Sequence, residues 1–383
     1  MKNILSIAPF YPPDKGGAES FAKDISDFYC KNNFKVKLIC FNSLNDNADK
    51  VDESNFNENY ENKTIYRIKW FGKYLFDKIE IRYVLFLYIF PALFFTSLKV
   101  LLKNKNDISI IECHGLLASF CGLIFSKLFK IKYVCHVLAI YNFNDYFLKI
   151  IFKIILNNSK RVFIQRGFSK YNLLSLGIKK NLLIEYNQPV DLEMFYPLKT
   201  NLKNILKSKL NLNFNKNIIF VGRGIRIKGH DFYMNLCKKF PNIGFIMVTN
   251  KIEKDLFDDI EDFEKKNSNF FVFKDIDYLK LNQFYQCSDL ICIPSNYEEN
   301  SVRVLGEALS CGLPVISSDK GSLPFIVDMS IGYYLPLELN SFVNKLNLIL
   351  SDDNFLSSLS QNCINKAFKD YTFKNFDKIL LNL

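Results

Sequence analysis

The 383-residue chain is short of the groups that most often carry catalysis by themselves. It has three histidines, His114, His136 and His230, and a single tryptophan. Its ten cysteines are scattered without C-x-x-C spacing, and Cys40, Cys121, Cys135 and Cys292 fall inside apolar runs, where cysteine behaves as a small hydrophobe. That excludes a thiolate cage and a disulfide framework, and it fits a reduced, cytosolic protein. No Ser/His/Asp order and no thiolate setting invites nucleophilic catalysis. The phosphate-binding order G-x-x-x-x-G-K-[ST] is absent, as are RNP, zinc-finger and helix-turn-helix patterns. No internal repeat or long low-complexity tract appears. The N-terminal Met1 to Pro9 has too short an apolar region for a signal peptide and is expected to be a first buried strand. Tyr83 to Leu98 is the most membrane-like stretch; it falls short of the ~20 residues a span needs and holds Pro91 centrally.

Apolar residues make up 49% of the chain, which argues against disorder, and the length suits two domains with separate cores. The formal charge of +11 is uneven: residues 1–200 carry 28 Lys/Arg against 18 Asp/Glu, residues 201–383 carry 22 against 21. A basic, aromatic first half without nucleic-acid motifs fits an anionic membrane face. Lysines and an arginine flank the Tyr83–Leu98 stretch, which reads either as an interfacial helix or as a core helix of the first domain.

Apolar runs of strand length recur, each followed by a helical pattern: Ile4–Ala8, Val36–Phe41, Ile108–Cys113, Tyr133–Leu138 and Arg161–Ile164, then Ile218–Val221, Ile243–Val248, Phe270–Phe273, Leu290–Ile293 and Val315–Ser317. Two such series imply an α/β protein of two doubly wound, Rossmann-like parallel-sheet domains. The polar, proline-bearing segment Asn187 to Pro197 reads as the connection, giving domains 1–198 and 199–365, and residues 42–63 read as an exposed loop.

Several motifs sit where such sheets bind ligands. Pro294 to Ile316 sets Glu299 and Glu307 eight positions apart, on a loop and a helix expected to start near Ser301. One carboxylate suits a sugar and the other a ribose, although a charged amphipathic helix explains the pair alone equally well. Ile218 to Asp231 is a strand, then a glycine-flanked loop with Arg223, Arg226 and Lys228, then a helix; phosphates are its natural partner. Gly16-Gly17 precedes a helix and lets backbone amides approach an anion. His114 and His136 lie at or near the carboxyl edge of the first sheet, as substrate-contacting residues or as ordinary core histidines. Asp275-Ile276-Asp277 has no third ligand nearby, so no metal is expected.

Together the Gly16-Gly17 loop, His114-Gly115, Asn187 to Pro197, Gly222-Arg223 through Lys228-Gly229, Asp289 through Ser295 and Glu299 through Pro314 resemble retaining family 4 glycosyltransferases (glycosyl transferases group 1) of the GT-B fold. The resemblance implies two domains facing across a cleft, with the chain's end, residues 366–383, crossing back to the first domain. It implies that Arg223 and Lys228 bind the donor diphosphate, that Glu299 holds the transferred sugar and Glu307 the ribose, with the amides of Asn300 and Ser301 assisting, and that Gly17, beside Gly16, caps the phosphate. It further implies retention of configuration without a metal or other cofactor, a nucleotide-sugar donor (UDP-sugar ahead of GDP-sugar), a glycan or lipid-linked acceptor, no nucleic acid, and a cytoplasmic place at the inner membrane face. Four departures stand out. The family's Thr-x-His strand end has His136 at the Thr and Leu138 at the His; its small glycines after the first glutamate are Asn300, Ser301 and Val302; its Gly-x-Gly turn is Thr249-Asn250-Lys251; and Phe325 replaces a glutamate. A sugar-nucleotide epimerase, or a membrane- or nucleic-acid-binding module with a decayed sugar site, are the competing readings.

Overall fold

The computed structural model describes residues 3–14, 16–43, 57–79, 82–141, 143, 145–250, 252–300 and 303–383. The chain divides into two compact units. The first comprises Met1–Gln165, Ser169–Tyr186 and Phe376–Leu383, the second Arg166–Phe168 and Asn187–Asn375.

In the first unit the elements run β1 (Asn3–Ile7), α1 (Gly17–Lys31), β2 (Lys35–Phe41), β3 (Asn57–Tyr60), β4 (Lys63–Ile68), α2 (Arg82–Lys103), β5 (Ile108–His114), α3 (Gly115–Phe129), β6 (Tyr133–Val137), α4 (Tyr146–Asn157), β7 (Arg161–Gln165), α5 (Phe168–Ser175) and β8 (Leu183–Tyr186). The sheet order is β3-β4-β2-β1-β5-β6-β7-β8, parallel except for the antiparallel β3–β4 hairpin. The order reverses at β1, where β2 and β5 flank it, and ligands bind beyond the carboxyl ends at such a switch point.

Strand alternation makes both faces. In β1, Leu5 and Ile7 join the core under α2, α3 and α4, with Phe125 and Phe152, while Ile4 joins the opposite core with Phe21 and Ile25 of α1.

The second unit contributes α6 (Thr200–Lys209), β9 (Asn217–Arg223), α7 (His230–Cys237), β10 (Gly244–Asn250), α8 (Lys254–Lys266), β11 (Phe270–Lys274), α9 (Tyr278–Gln286), β12 (Leu290–Ile293), α10 (Arg303–Ser310), β13 (Val315–Ser318), α11 (Leu323–Ile326), β14 (Gly332–Leu335), α12 (Leu339–Leu350) and α13 (Asp353–Asp370). Its six parallel strands are ordered β11-β10-β9-β12-β13-β14, with the reversal at β9. Ile219, Ile246 and Ile291 face one core, and Ile218, Phe245 and Leu290 the other. The short α14 (Asp377–Leu380) buries Phe376 and Ile379 among Phe21, Phe28 and Tyr186 of the first unit.

All ten apolar runs form strands. The expected exposed loop over 42–63 is corrected in part: 44–56 lie outside the described residues, but Asn57–Tyr60 and Lys63 belong to the β3–β4 hairpin. The second unit begins at Asn187 rather than near residue 198, because Val190 and Phe195 pack into its core and Val190 bonds to the Tyr371 carbonyl. Likewise residues 366–375 stay with the second unit and only 376–383 join the first. The apolar segment at Tyr83 is longer than expected: α2 has 22 residues, runs through Pro91, and over Tyr83–Lys103 is long and apolar enough to cross a membrane. Ile89, Leu93, Val100 and Leu101 face the core while Leu87, Phe95 and Leu102 are exposed.

Candidate functional site

Three loops at the carboxyl edge of the second sheet, after the neighbouring strands β9, β12 and β13, are fastened to one another by backbone contacts. After β9 the chain makes one tight turn over Arg226–Lys228 and enters α7 through Gly229, at φ 85°. A side chain there would strike the Pro294 carbonyl oxygen at 2.0 Å, so only glycine lets the two loops meet. The Asn296 amide donates to the Ile227 carbonyl at 2.8 Å. On the other side Gly321, at φ 57°, lies against the Glu299 backbone, and the Ser322 amide donates to the Glu299 carbonyl at 2.7 Å. Glu298 accepts from the Gly321 amide at 2.5 Å.

This packing buries the Glu299 carboxylate to 2% exposure and surrounds it with donors. Lys228 Nζ donates to Oε1 at 2.7 Å, Ser295 Oγ donates to the same oxygen, and the Tyr297 hydroxyl donates to Oε2 at 2.7 Å. Lys228 Nζ also lies 4.9 Å from the Tyr297 ring centroid, a cation–π contact. Burial, then the neighbouring Glu299 carboxylate, push the Tyr297 hydroxyl well above the ordinary tyrosine range, so it stays a donor. Ser295 and Tyr297 lie inside the motif noted in the sequence but had no role assigned there; their closeness to Glu299 in sequence was the available signal.

Arg223 ends β9 as an exposed cation whose charge reaches Tyr297. Arg226 is otherwise engaged: its guanidinium meets Asp231 at 3.0 Å, Asp255 at 2.9 Å and Asp259 at 3.3 Å. His230 is fully buried, donates from Nδ1 to the Ile225 carbonyl at 3.1 Å and packs edge-on against Phe220. Burial pulls its pKa down to about 4, so the ring is neutral and holds the loop rather than adding charge.

Glu307, on α10, is also 2% exposed. Tyr285 donates to its Oε2 at 2.9 Å, while Arg303 Nε at 3.1 Å and the Tyr278 hydroxyl at 3.3 Å reach Oε1. The Arg303 guanidinium also lies over the Tyr278 ring, 5.2 Å from its centroid. Tyr278 and Tyr285, 29 and 22 residues away on α9, carried no sequence signal. Asn300 is buried directly after Glu299; Ser301, and with it the expected helix start, lies outside the described residues, and α10 is described from Arg303. Asp277 of the Asp-Ile-Asp motif caps α9, accepting from the Leu279 amide at 3.0 Å.

In the first unit, Gly16 precedes α1 and Gly17 opens it; a side chain at Gly17 would meet open space, one at Gly16 the Glu19 carboxylate. Phe21, one turn on, packs on both His114 and His136. These histidines are in register on neighbouring strands and their rings stack 4.8 Å apart at 15°. Both Nε2 atoms face the carboxylate of Glu112, a residue the sequence reading passed over. Among the described residues Glu112, His114 and His136 are the group with ligand atoms close enough for a metal, all within 4.8 Å. Stacked imidazoles aim their in-plane lone pairs side by side rather than at one point, so one tetrahedral ion fits this pair poorly. Hydrogen bonding explains the trio better. His136 is enclosed between His114 and Phe163, and His114 alone of the two reaches the strand end.

Residues 203–370 match the family model of glycosyl transferases group 1. The matched stretch lies within the second unit. The match spans the Lys228–Glu299 pair and Glu307, so the stretch similar to glycosyl transferases group 1 contains every site residue described above for the second unit. Among curated relatives, the chain is 28% identical over 251 residues to an uncharacterized 41.2 kDa protein in the cps region of Klebsiella pneumoniae, covering 62% of this chain and 66% of that protein. It is 30% identical over 99 residues to the lipopolysaccharide 1,2-N-acetylglucosaminetransferase of Salmonella typhimurium, covering 25% and 26%. The chain thus aligns with less than two thirds of the length of these relatives.

The fold is GT-B, shared with sucrose-phosphate synthase from Thermosynechococcus elongatus (TM-score 0.83, 18% identity, 100% of this chain and 98% of that one). It is also shared with Anabaena HepE in complex with UDP-glucose (TM-score 0.77, 17% identity, 100% of both) and with WaaG, a glycosyltransferase involved in lipopolysaccharide biosynthesis (TM-score 0.69, 13% identity, 99% and 98%).

Proposed function

We propose that the chain is a retaining glycosyltransferase of the family 4 kind. It moves a sugar from a nucleotide diphosphate sugar, UDP-sugar ahead of GDP-sugar, to a glycan or lipid-linked acceptor of a cell-surface polysaccharide. The carrying observation is the Lys228–Glu299 pair, a cation and a buried carboxylate 2.7 Å apart at the mouth of a glycosyltransferase domain. An incoming diphosphate competes for Lys228 and, with Arg223, spreads the charge that grows as the glycosyl bond breaks. Release of Lys228 frees a lone pair on Glu299 for a sugar hydroxyl, while Ser295 and Tyr297 keep the carboxylate oriented. Glu307, held by two tyrosines and Arg303, receives the ribose, and the Asn300 backbone amide assists beside Glu299.

In the transfer step the bond from C1 of the sugar to the β-phosphate oxygen breaks, the acceptor oxygen bonds to C1 on the same face, and its proton passes to the departing phosphate. No metal enters this proposal: the cations come from Arg223 and Lys228. HepE, whose solved complex holds UDP-glucose, and the lipopolysaccharide N-acetylglucosaminetransferase relative support the donor and acceptor classes.

The proposed place is the cytoplasmic face of the membrane. Helices α2, α3 and α4 contain no Asp or Glu, and the outer sides of α2 and α4 expose Val84, Leu87, Phe95, Tyr146, Phe147 and Ile154 beside Lys149 and Lys153. Tyr83 donates to Asp145, joining the starts of the two helices into one surface. The experiment is turnover with a panel of UDP- and GDP-sugars: Glu299→Gln and Lys228→Ala should each abolish transfer, and unchanged activity in both would sink the assignment.

A further inference from the structure

Four donors surround one carboxylate in the core of the first unit. Glu112 has no solvent exposure. Its Oε1 accepts from the Tyr29 hydroxyl at 2.6 Å and faces His136 Nε2 at 2.8 Å; its Oε2 accepts from Ser6 Oγ at 2.9 Å, and His114 Nε2 lies 3.2 Å from both that oxygen and Ser6 Oγ, which can accept from it once the Ser6 proton is given to Glu112. A carboxylate offers about four lone-pair sites and no donor. The arrangement is satisfied when both imidazoles donate from Nε2, which leaves Nδ1 of each as an acceptor. Both Nδ1 atoms are buried and have no hydrogen-bond partner.

The two orphan acceptors differ in position. His136 lies in the interior, stacked between His114 and Phe163 at 4.8 and 5.0 Å. His114 ends β5 at the carboxyl edge of the sheet, immediately before α3. Beside it stands Gly115, where a side chain would meet nothing within 4 Å. Buried polar atoms without partners cost stability, so a buried acceptor left without a partner on the residue that ends a strand at a sheet's binding edge points to a donor that arrives with a ligand.

We propose that Glu112 is a positioning residue for sugar transfer: it locks His114 and His136 as Nε2–H tautomers, so that His136 backs His114 and His114 presents Nδ1 to a sugar hydroxyl. A carboxylate does this where glutamine does not, because an amide NH2 would donate to one of the rings and reverse its tautomer. That the hydroxyl belongs to a sugar rests on the function proposed above; the tautomers do not.

With three histidines in the chain, imidazole 15N NMR resolves every ring, and His230, which donates from Nδ1 to a backbone carbonyl, supplies the opposite tautomer as an internal reference. The wild-type protein should show Nε2–H at His114 and His136 and Nδ1–H at His230. Glu112→Gln should switch one of the first two rings and lower kcat tenfold or more, with UDP affinity within twofold because the diphosphate-binding cations are in the second unit. Glu112→Asp should keep both tautomers and recover part of kcat. Tyr133→Phe, which removes a different buried hydroxyl from the same sheet, should lower stability and leave kcat within threefold. An Nδ1–H signal from wild-type His114 or His136 overturns the proposal, and so does a loss of kcat in Tyr133→Phe equal to that in Glu112→Gln. If Glu112→Gln does not fold, the wild-type tautomers decide. If wild-type protein transfers no sugar from any donor, the functional reading fails separately, and the tautomer pattern still tests what Glu112 holds in place.

Discussion

Lys228 Nζ lies 2.7 Å from Glu299 Oε1, and the carboxylate it meets is 2% exposed. A buried charge deprived of its partner costs about 3–5 kcal/mol. Lys228→Ala should therefore lower the unfolding free energy by about 3 kcal/mol in urea titrations and weaken UDP binding at least tenfold by calorimetry. Added UDP should raise the Tm of the wild type and not of the variant.

Glu299 and Glu307 are equally buried but hold different company, so their variants should separate. Glu307→Gln weakens the bond to Tyr285 and the ion pair to Arg303, a site assigned to the ribose. It should raise the Kd for UDP about tenfold and change kcat at saturating donor less than threefold. A kcat defect as large as that of Glu299→Gln would contradict the ribose assignment.

His230 gives the fold a pH dependence of definite sign. Its pKa falls from 6.5 when exposed to about 4 in the folded chain, chiefly through burial. The stability this neutral ring lends is complete above pH 6.5 and is lost as the pH drops from there toward about 4, because only the unfolded chain takes up the proton readily. Between pH 7 and pH 5 the wild type should lose about 2 kcal/mol through this residue. His230→Asn, which can still donate to the Ile225 carbonyl, should flatten that part of the profile; an unchanged slope in urea unfolding would contradict the reading.

How much of this was legible beforehand follows from burial. The ten apolar runs are continuous because those strands are covered on both faces. The strands that were missed, β3, β4, β8 and β14, are half-buried or at sheet edges, where Lys-Thr-Ile-Tyr-Arg-Ile or Gly-Tyr-Tyr-Leu looks no different from loop. In the site, Glu299, Glu307, Arg223 and Lys228 stood out because charge amid strand-turn-helix patterns is visible in one dimension. The tyrosines that hold Glu307 were invisible, since α9 meets α10 only after folding. Glu112 was legible in principle: with His114 it forms an i, i+2 pair on one strand face, and an acid inside Ile-Ile-Glu-Cys-His demands partners.

The surface formed by α2 and α4 predicts lipid binding. The protein should sediment with vesicles containing about one third anionic lipid, bind neutral vesicles at least tenfold less, and dissociate as salt rises to about 0.5 M. Leu87→Asp with Phe147→Asp, both at exposed positions, should abolish sedimentation and leave thermal stability within a few degrees. Equal binding of wild type and variant would rule this surface out.

The central claim is that Glu299 acts on the reacting sugar rather than merely completing a buried ion pair. The most direct measurement is release of UDP from a UDP-sugar in the presence of acceptor, compared between wild type and Glu299→Gln, with UDP affinity measured on the same samples. A loss of at least a hundredfold in kcat is expected, with UDP affinity within threefold, since the proposed diphosphate ligands Arg223 and Lys228 are unchanged in the variant. Turnover preserved in Glu299→Gln, with the protein folded and UDP bound, would contradict it.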